Sequence, residues 1–188
     1  KKEYQHRMMR GMRPTLEVLD DILPSKGTFS EVSLGLVQIP ADQIVGTKTG
    51  GRSNAFAANS MPILRENTEF AMKWSRLSTS HVEEGIREPI KAYEYMNKFY
   101  VEEGNKRVSV MKYFGAVSIP GYVTRIIPKP TDEKENKIYY EFLDFYKVAP
   151  INYVWFTQEG SFPKLQEAVG KDPGEEWTED DCLRFSST

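Results

Sequence analysis

The sequence is poor in the residues that carry the most recognisable chemistry. Among 188 residues there is one cysteine, Cys182, and there are two histidines, His6 and His81. A single thiol excludes an internal disulfide framework, and three such side chains leave no Cys/His zinc cluster. No apolar run approaches the ~20 residues of a membrane span. No signal peptide is recognisable at "KKEYQ", which opens without methionine and reads as a trimmed start. A formal net charge of −2 gives no global nucleic-acid signature, and there is no internal repeat or low-complexity tract. With 39% hydrophobic and 28% charged residues, the composition is that of a cytoplasmic globular protein with one cored domain and helical extensions.

What charge there is lies unevenly. Residues 1–14 hold Lys1, Lys2, Arg7, Arg10 and Arg13 against Glu3, whereas residues 171–188 hold six carboxylates against Lys171 and Arg184. A basic arm allows weak, non-specific DNA contact through residues 1–14, although a solvated helix face is the commoner meaning of such a run. The acidic tail argues against DNA contact at that end.

Along the chain, residues 4–24 read as two short helices broken near Gly11 and Pro14, the second carrying Leu16, Leu19 and Leu23 on one stripe. Met8, Met9 and Met12 read as packing filler. "EVSLGLVQIP" reads as a strand with Val32, Leu34 and Leu36 on one face, closed by Pro40. "ADQIVGTKTGGRSNAFAANSMP" reads as loop, and "PILRENTEFAMKWSRLSTSHVEEG" as one or two helices with Phe70, Met72, Trp74 and Leu77 available for burial. "REPIKAYEYMNKFYVEE" predicts a hairpin turning near Asn97, with Ile90 and Ala92 facing Phe99 and Val101. "IPGYVTRIIPKP" predicts a short strand. "TDEKENKIYYEFLDFYKVAP" predicts a helix with Thr131 as N-cap, an inner stripe of Ile138, Phe142 and Phe145, and an end before Pro150. "INYVWF" reads as a strand, followed by short helices around 164–169 and 179–184. The division expected is a helical extension over 1–30, a core over 31–128 and a mostly helical appendage over 129–188, with the boundary near Pro128–Asp132.

The most unusual stretch is "FYVEEGNKRVSVMKYFG", Phe99 to Gly115. Phe99 and Val101 alternate as in a strand, and Val108, Met111 and Phe114 follow helical spacing, so Gly104 lies at a strand-to-helix turn. Lys106 and Arg107 then occupy the first helical turn, where the helix dipole disfavours cations by ~0.3–1 kcal/mol each. Either Glu102 and Glu103 neutralise a solvated cluster, or the turn holds a phosphate. In the second reading the phosphate is held by the free helix amides of Lys106, Arg107 and Val108, with the Lys106 and Arg107 side chains as clamps and Gly104 allowing close approach.

Upstream, "GTKTGGRS" stands one substitution from a P-loop, with Arg52 in place of lysine. The segment after it, "SNAFAANSMP", is a poor helix opening, so a P-loop fold is rejected. Gly46, Thr47, Lys48, Thr49 and Arg52 still offer donors to phosphate. Asp42, Glu84, Glu88, Glu102 and Glu103 are the carboxylates available to a metal or a proton, and Glu103 and Glu102 are best placed beside Gly104. No residue is assigned as a dedicated metal ligand. His81 reads as incidental, and Cys182, in the acidic tail, is a poor nucleophile.

The runs "LGLVQIPADQIVGT", "EPIKAYEYMNKFYVEEGNKRVSVMKYFG" and "IPGYVTRI" together resemble the ParB/sulfiredoxin-like superfamily, above all its bacterial ParB-like domains, over roughly residues 32–127. In the signature of those domains, Glu103 stands at the acidic position, Gly104 at the glycine and Arg107 at the arginine, followed by "VSV". The resemblance implies an α/β (α+β) fold with a small mixed sheet and a turn that binds nucleotide phosphates. That makes Gly104, Asn105, Lys106, Arg107, Val108 and Ser109 the phosphate-binding set and Glu103 and Glu102 the catalytic candidates. Glu88, Pro89 and Ile90 are assigned to a substrate cleft. ATP or CTP with Mg²⁺ is the implied ligand, and phosphotransferase, NTPase or nuclease activity the implied chemistry. Sulfiredoxins place a cysteine in this turn, where this chain has Asn105 and Lys106, so that activity is excluded. Many ParB-like members carry "DGHHR" there, and both histidines are missing. The alternatives are a DNA-binding partition-type regulator and an interaction domain that has kept the fold without a ligand.

Overall fold

The hairpin forms where the alternation of apolar residues asks for it. Strands β4 (Ile90–Tyr95) and β5 (Lys98–Glu103) pair antiparallel, and Met96 and Asn97 both take positive φ, 51° and 61°. Two such residues match the right-handed twist of the strands they join. The Asn97 amide donates to Glu94 Oε1 at 2.7 Å, which fixes the turn from inside. The computed structural model that shows this describes residues 1–25, 27–63 and 68–187.

Around the hairpin the elements run α1 (Lys2–Met9), β1 (Glu17–Val18), α2 (Leu19–Ile22), β2 (Phe29–Pro40), β3 (Ile44–Thr47), α3 (Glu69–Glu84), β4, β5, α4 (Asn105–Tyr113) and β6 (Ser118–Pro128). Short 3-10 turns span Ala41–Gln43 and Gly50–Ala55. The strands form one mixed sheet in the order β1-β3-β5-β4-β6-β2, with β1·β3, β3·β5 and β4·β6 parallel. The protein is therefore α/β, a mixed six-stranded sheet among helices.

Each face of the sheet has its own apolar set. Ile90, Ala92, Phe99, Val101 and Val123 share one face and pack with Val108 and Met111 of α4. Tyr100 and Ile126 share the other face, where Leu19 covers them beside Leu23, Phe29, Tyr93 and Tyr95. Tyr100, on the face where alternation predicts exposure, is 1% exposed because Leu19, Leu23 and Phe29 pack over it. A buried charged pair lies within the sheet: Arg125 Nε donates to Glu94 Oε2 at 2.6 Å, and both side chains are buried.

Several expectations need correction. The second helix expected before Pro24 is a single turn, because Glu17 and Val18 pair with Gly46 and Thr47 as an edge strand. The stretch expected as loop contains β3, a parallel strand whose partner β5 lies far away in sequence. On β2, Val32 and Leu36 are exposed and Leu34 alone of that trio packs on the core, since an edge strand has a neighbour on one side only. Residues 64–67 of the expected helical stretch lie outside the described residues. The helix that follows begins after Thr68, whose hydroxyl caps the Ala71 amide at 3.2 Å.

By contact density the chain divides into two units, Lys1–Ile127 and Pro128–Thr188. The second holds α5 (Lys134–Val148), α6 (Ser161–Ala168) and α7 (Glu179–Ser186). Ile138, Phe142 and Phe145 are buried along α5, as their spacing predicts. Glu133, not Thr131, stands at its N-cap. The buried Asn136 side chain accepts from the Thr131 amide and donates to the Lys129 carbonyl, so Thr131 is held in the turn before the helix. "INYVWF" is not a strand. Ile151 is buried and Phe156 stacks edge-on to Phe162 at 4.8 Å, so the run serves side-chain packing and pairs with no strand.

Candidate anion site at the start of helix α4

Gly104 makes the strand-to-helix turn with φ 110° and ψ 20°, a conformation that favours glycine. A Cβ there would lie 2.7 Å from Ile90 Cγ2 and 3.2 Å from the Arg107 guanidinium. The helix that follows has no side-chain cap, and its first intrahelical bond runs from the Val108 amide to the Gly104 carbonyl at 3.0 Å. Among the described residues, the amides of Asn105, Lys106 and Arg107 have no acceptor. Uncapped amides at a helix start concentrate partial positive charge.

They adjoin a cavity of about 270 Å³ lined by Arg52, Phe56, Phe70, Glu102, Glu103 and the chain from Gly104 to Lys106. The Lys106 ammonium lies 4.9 Å from the centre of the Phe70 ring, and Phe70 packs edge-on to Phe56 at 5.3 Å. Burial pushes the Lys106 amine below the ordinary lysine value, and the charges of Arg52 and Lys73 push it the same way; Glu69 opposes them. Lys73 is paired with Glu69, and Glu103 with Lys91 at 3.1 Å. The site is thus a basin lined by two cations, the open amides of Asn105 and Lys106, two aromatic rings and the two carboxylates of Glu102 and Glu103.

The structure brings together only part of the expected set. Arg107 does not line the cavity. Its Nη1 donates to the carbonyl oxygens of Glu88 at 3.1 Å and Pro89 at 3.0 Å and pairs with the Glu88 carboxylate, so it braces the start of β4. Glu88 and Pro89 are accordingly its anchors, and Ile90 is fully buried in the core. Val108 is buried with its amide spent inside the helix. Ser109 is buried too, its hydroxyl accepting from Trp74 Nε1 at 2.9 Å.

The upstream loop divides similarly. A Cβ on Gly46 would meet the Glu17 carbonyl oxygen at 2.3 Å, so this glycine lets β1 close on β3. The Thr47 hydroxyl is buried, donating to the Val101 carbonyl and accepting from the Asn105 side chain at 3.4 Å. Lys48 pairs with Asp20 and lies 5.3 Å from the centre of the Tyr93 ring. Thr49 is exposed where the 3-10 turn starts, and of this loop Arg52 alone lines the cavity. A strand does precede the P-loop-like run, but a 3-10 turn follows it where a P-loop needs an α-helix. Phe56, Phe70 and Lys73 escaped the sequence reading as site residues. Their separation from Gly104 in the chain leaves no local signal, and Phe70 reads simply as a buried helix position.

No group of three or more potential metal ligands occurs among the described residues, nor does any helix long and apolar enough to cross a membrane.

No protein-family profile matches the chain, and neither does any curated protein sequence. Among solved structures, the chain is similar to sulfiredoxin from Arabidopsis thaliana at 19% identity and a TM-score of 0.32, over 47% of this chain and 82% of that one.

Proposed function

We propose that the basin at the start of α4 binds a phosphate group of a nucleotide, in a domain of the ParB/sulfiredoxin-like kind. Arg52, Lys106 and the open amides of Asn105 and Lys106 are the anion-binding set. The observation that carries this reading is their convergence on one cavity, where Lys106 sits among other cations at a turn that already disfavours a cation. Phosphate is the ligand that converts this repulsion into attraction, and charge-assisted bonds to it are worth ~1.5–3 kcal/mol each. Phe70, backed by the buried Phe56, gives an apolar side against which the rest of a nucleotide can lie.

ATP and CTP are the candidates. Mg²⁺ would enter with the phosphates, because the carboxylates of Glu102 and Glu103 do not form a metal cluster by themselves. Thiol chemistry has no residue at this turn, and Cys182 lies in α7.

The test is thermal unfolding with ATP, CTP, GTP and UTP, with and without Mg²⁺. A nucleotide at 100 times its Kd adds ~2.7 kcal/mol of stability. Arg52→Ala with Lys106→Met should remove that gain while the empty protein melts no lower. A nucleotide that still stabilises the double variant would overturn the assignment.

A further inference from the structure

Phe70 is shared by two cavities. A second hollow, about 600 Å³, is lined by Lys1, Lys2, Pro62, Phe70, Ala71, Trp74 and Ser75. Phe70 and Trp74 are four residues apart on α3 and share one helix face. Both rings are held by other contacts: Trp74 donates to Ser109 and packs edge-on to Tyr113 at 5.5 Å, and Phe70 leans on Phe56. Arg52 and Lys106 thus share one hollow with Phe70, and Lys1 and Lys2 share the other with Phe70 and Trp74. Of the nearby carboxylates, Glu3 is paired with Arg7, Glu69 with Lys73 and Glu103 with Lys91, while Glu102 lines the first hollow beside Arg52 and Lys106.

We infer that this double hollow takes single-stranded nucleic acid, with successive phosphates at its two basic ends and bases on Phe70 and Trp74. The inference rests on the phosphate site proposed above and extends it to a polymeric ligand. A mononucleotide would need cations at one end only, and a wholly apolar partner would need none. Alternating charge and fixed aromatic shelves is the pattern that binds unpaired strands without reading sequence. The two shelves are about 6 Å apart along the helix axis, wider than the ~3.4 Å rise of a stacked duplex strand. That spacing suits an unstacked strand.

The experiment is fluorescence anisotropy on the full chain with labelled decamers of deoxythymidylate and of uridylate, the matching duplex, and a deca-glutamate peptide as competitor, across a salt series. Either decamer should bind at least about tenfold tighter than the duplex. The two decamers decide between DNA and RNA as the source of the strand. Trp74→Leu should weaken binding about tenfold, the loss of one stacked base. Lys1→Ala with Lys2→Ala lies on the exposed start of α1 and should lower the salt slope by roughly 1.4, two phosphate contacts' worth. The same double variant should bind mononucleotide unchanged. If mononucleotide binds and the decamers bind no tighter, or if the glutamate peptide competes equally, this inference falls and the phosphate site stands. If neither mononucleotide nor decamer binds, both fall.

Discussion

Arg107 donates from Nη1 to the Pro89 carbonyl oxygen across 3.0 Å, and its guanidinium packs where a side chain on Gly104 would otherwise lie. The glycine and the arginine are thus a matched pair. Gly104 has no Cβ so that Arg107 can pass beneath the turn and hold the first residues of β4. Lys106, the next residue back, goes to the basin instead.

Arg107→Ala should therefore destabilise the fold by ~1–3 kcal/mol, chiefly the cost of leaving the half-buried Pro89 carbonyl without its donor. Nucleotide affinity should fall no more than roughly fivefold, since a cation at the helix start shifts anion binding by at most ~1 kcal/mol. Urea unfolding and nucleotide titration on the same variant check this. Unchanged stability with abolished binding would return Arg107 to the phosphate site.

Gly46→Ala tests whether that glycine serves the strands or a phosphate. An added Cβ would meet the Glu17 carbonyl oxygen at 2.3 Å and Tyr100 Cδ1 at 2.7 Å. Overpacking of this kind costs ~1–3 kcal/mol. A lowered unfolding midpoint is expected, with the folded fraction still binding nucleotide.

Glu94→Gln should be the most damaging of these substitutions. It removes the charge opposite Arg125, in a pair where both side chains are buried. Breaking one half of such a pair costs ~3–5 kcal/mol. Replacing both residues with methionine should recover only part of the loss, because the buried Asn97 amide also loses its Glu94 acceptor; denaturant midpoints of the single and double variants would show this.

Stability should rise with pH in weakly alkaline solution because of Lys112. Its ammonium donates to the Ile44 carbonyl oxygen at 2.7 Å, and burial pulls its pKa from 10.5 down to about 8, with the Asp42 charge opposing. The folded chain releases this proton before the unfolded chain does. Between pH 8 and 10.5 the unfolded state binds more protons, so stability increases with pH, and the penalty is fully present below pH 8. The difference in urea midpoint between wild type and Lys112→Met should shift in favour of wild type from pH 7.5 to 9.5. A flat difference would show that the amine is not desolvated. Burial and Glu17 raise the Tyr100 hydroxyl above its ordinary value of 10, so Tyr100 costs stability only above that pH and leaves the window clear.

Local pattern carried much of the architecture. The β4–β5 hairpin, the Gly104 turn and the start of α4 were legible because strand alternation gives way to helical spacing within a few residues. The α5 stripe was legible for the same reason. β1 was not, since two residues show no period and Glu17–Val18 is a strand only because Gly46 lets it approach. β3 was hidden in a run rich in glycine and threonine, its partner Phe99–Val101 more than fifty residues away. "INYVWF" misled because its apolar residues pack against other rings without pairing with a strand.

The candidate site divides along the same line. By itself, the sequence determined that cations crowd the first turn of α4, since that follows from Gly104, the helical spacing after it and the identities of Lys106 and Arg107. It could not determine where their side chains go, because neighbours in a helix point about 100° apart and only the packing around them selects their partners. Tertiary structure sent Arg107 to the carbonyls of Glu88 and Pro89, buried Ser109 under Trp74, and brought Arg52, Phe56 and Phe70 to Lys106. Those contacts join residues far apart in the chain, and they exist only once the sheet has fixed where the 3-10 turn, α3 and α4 meet.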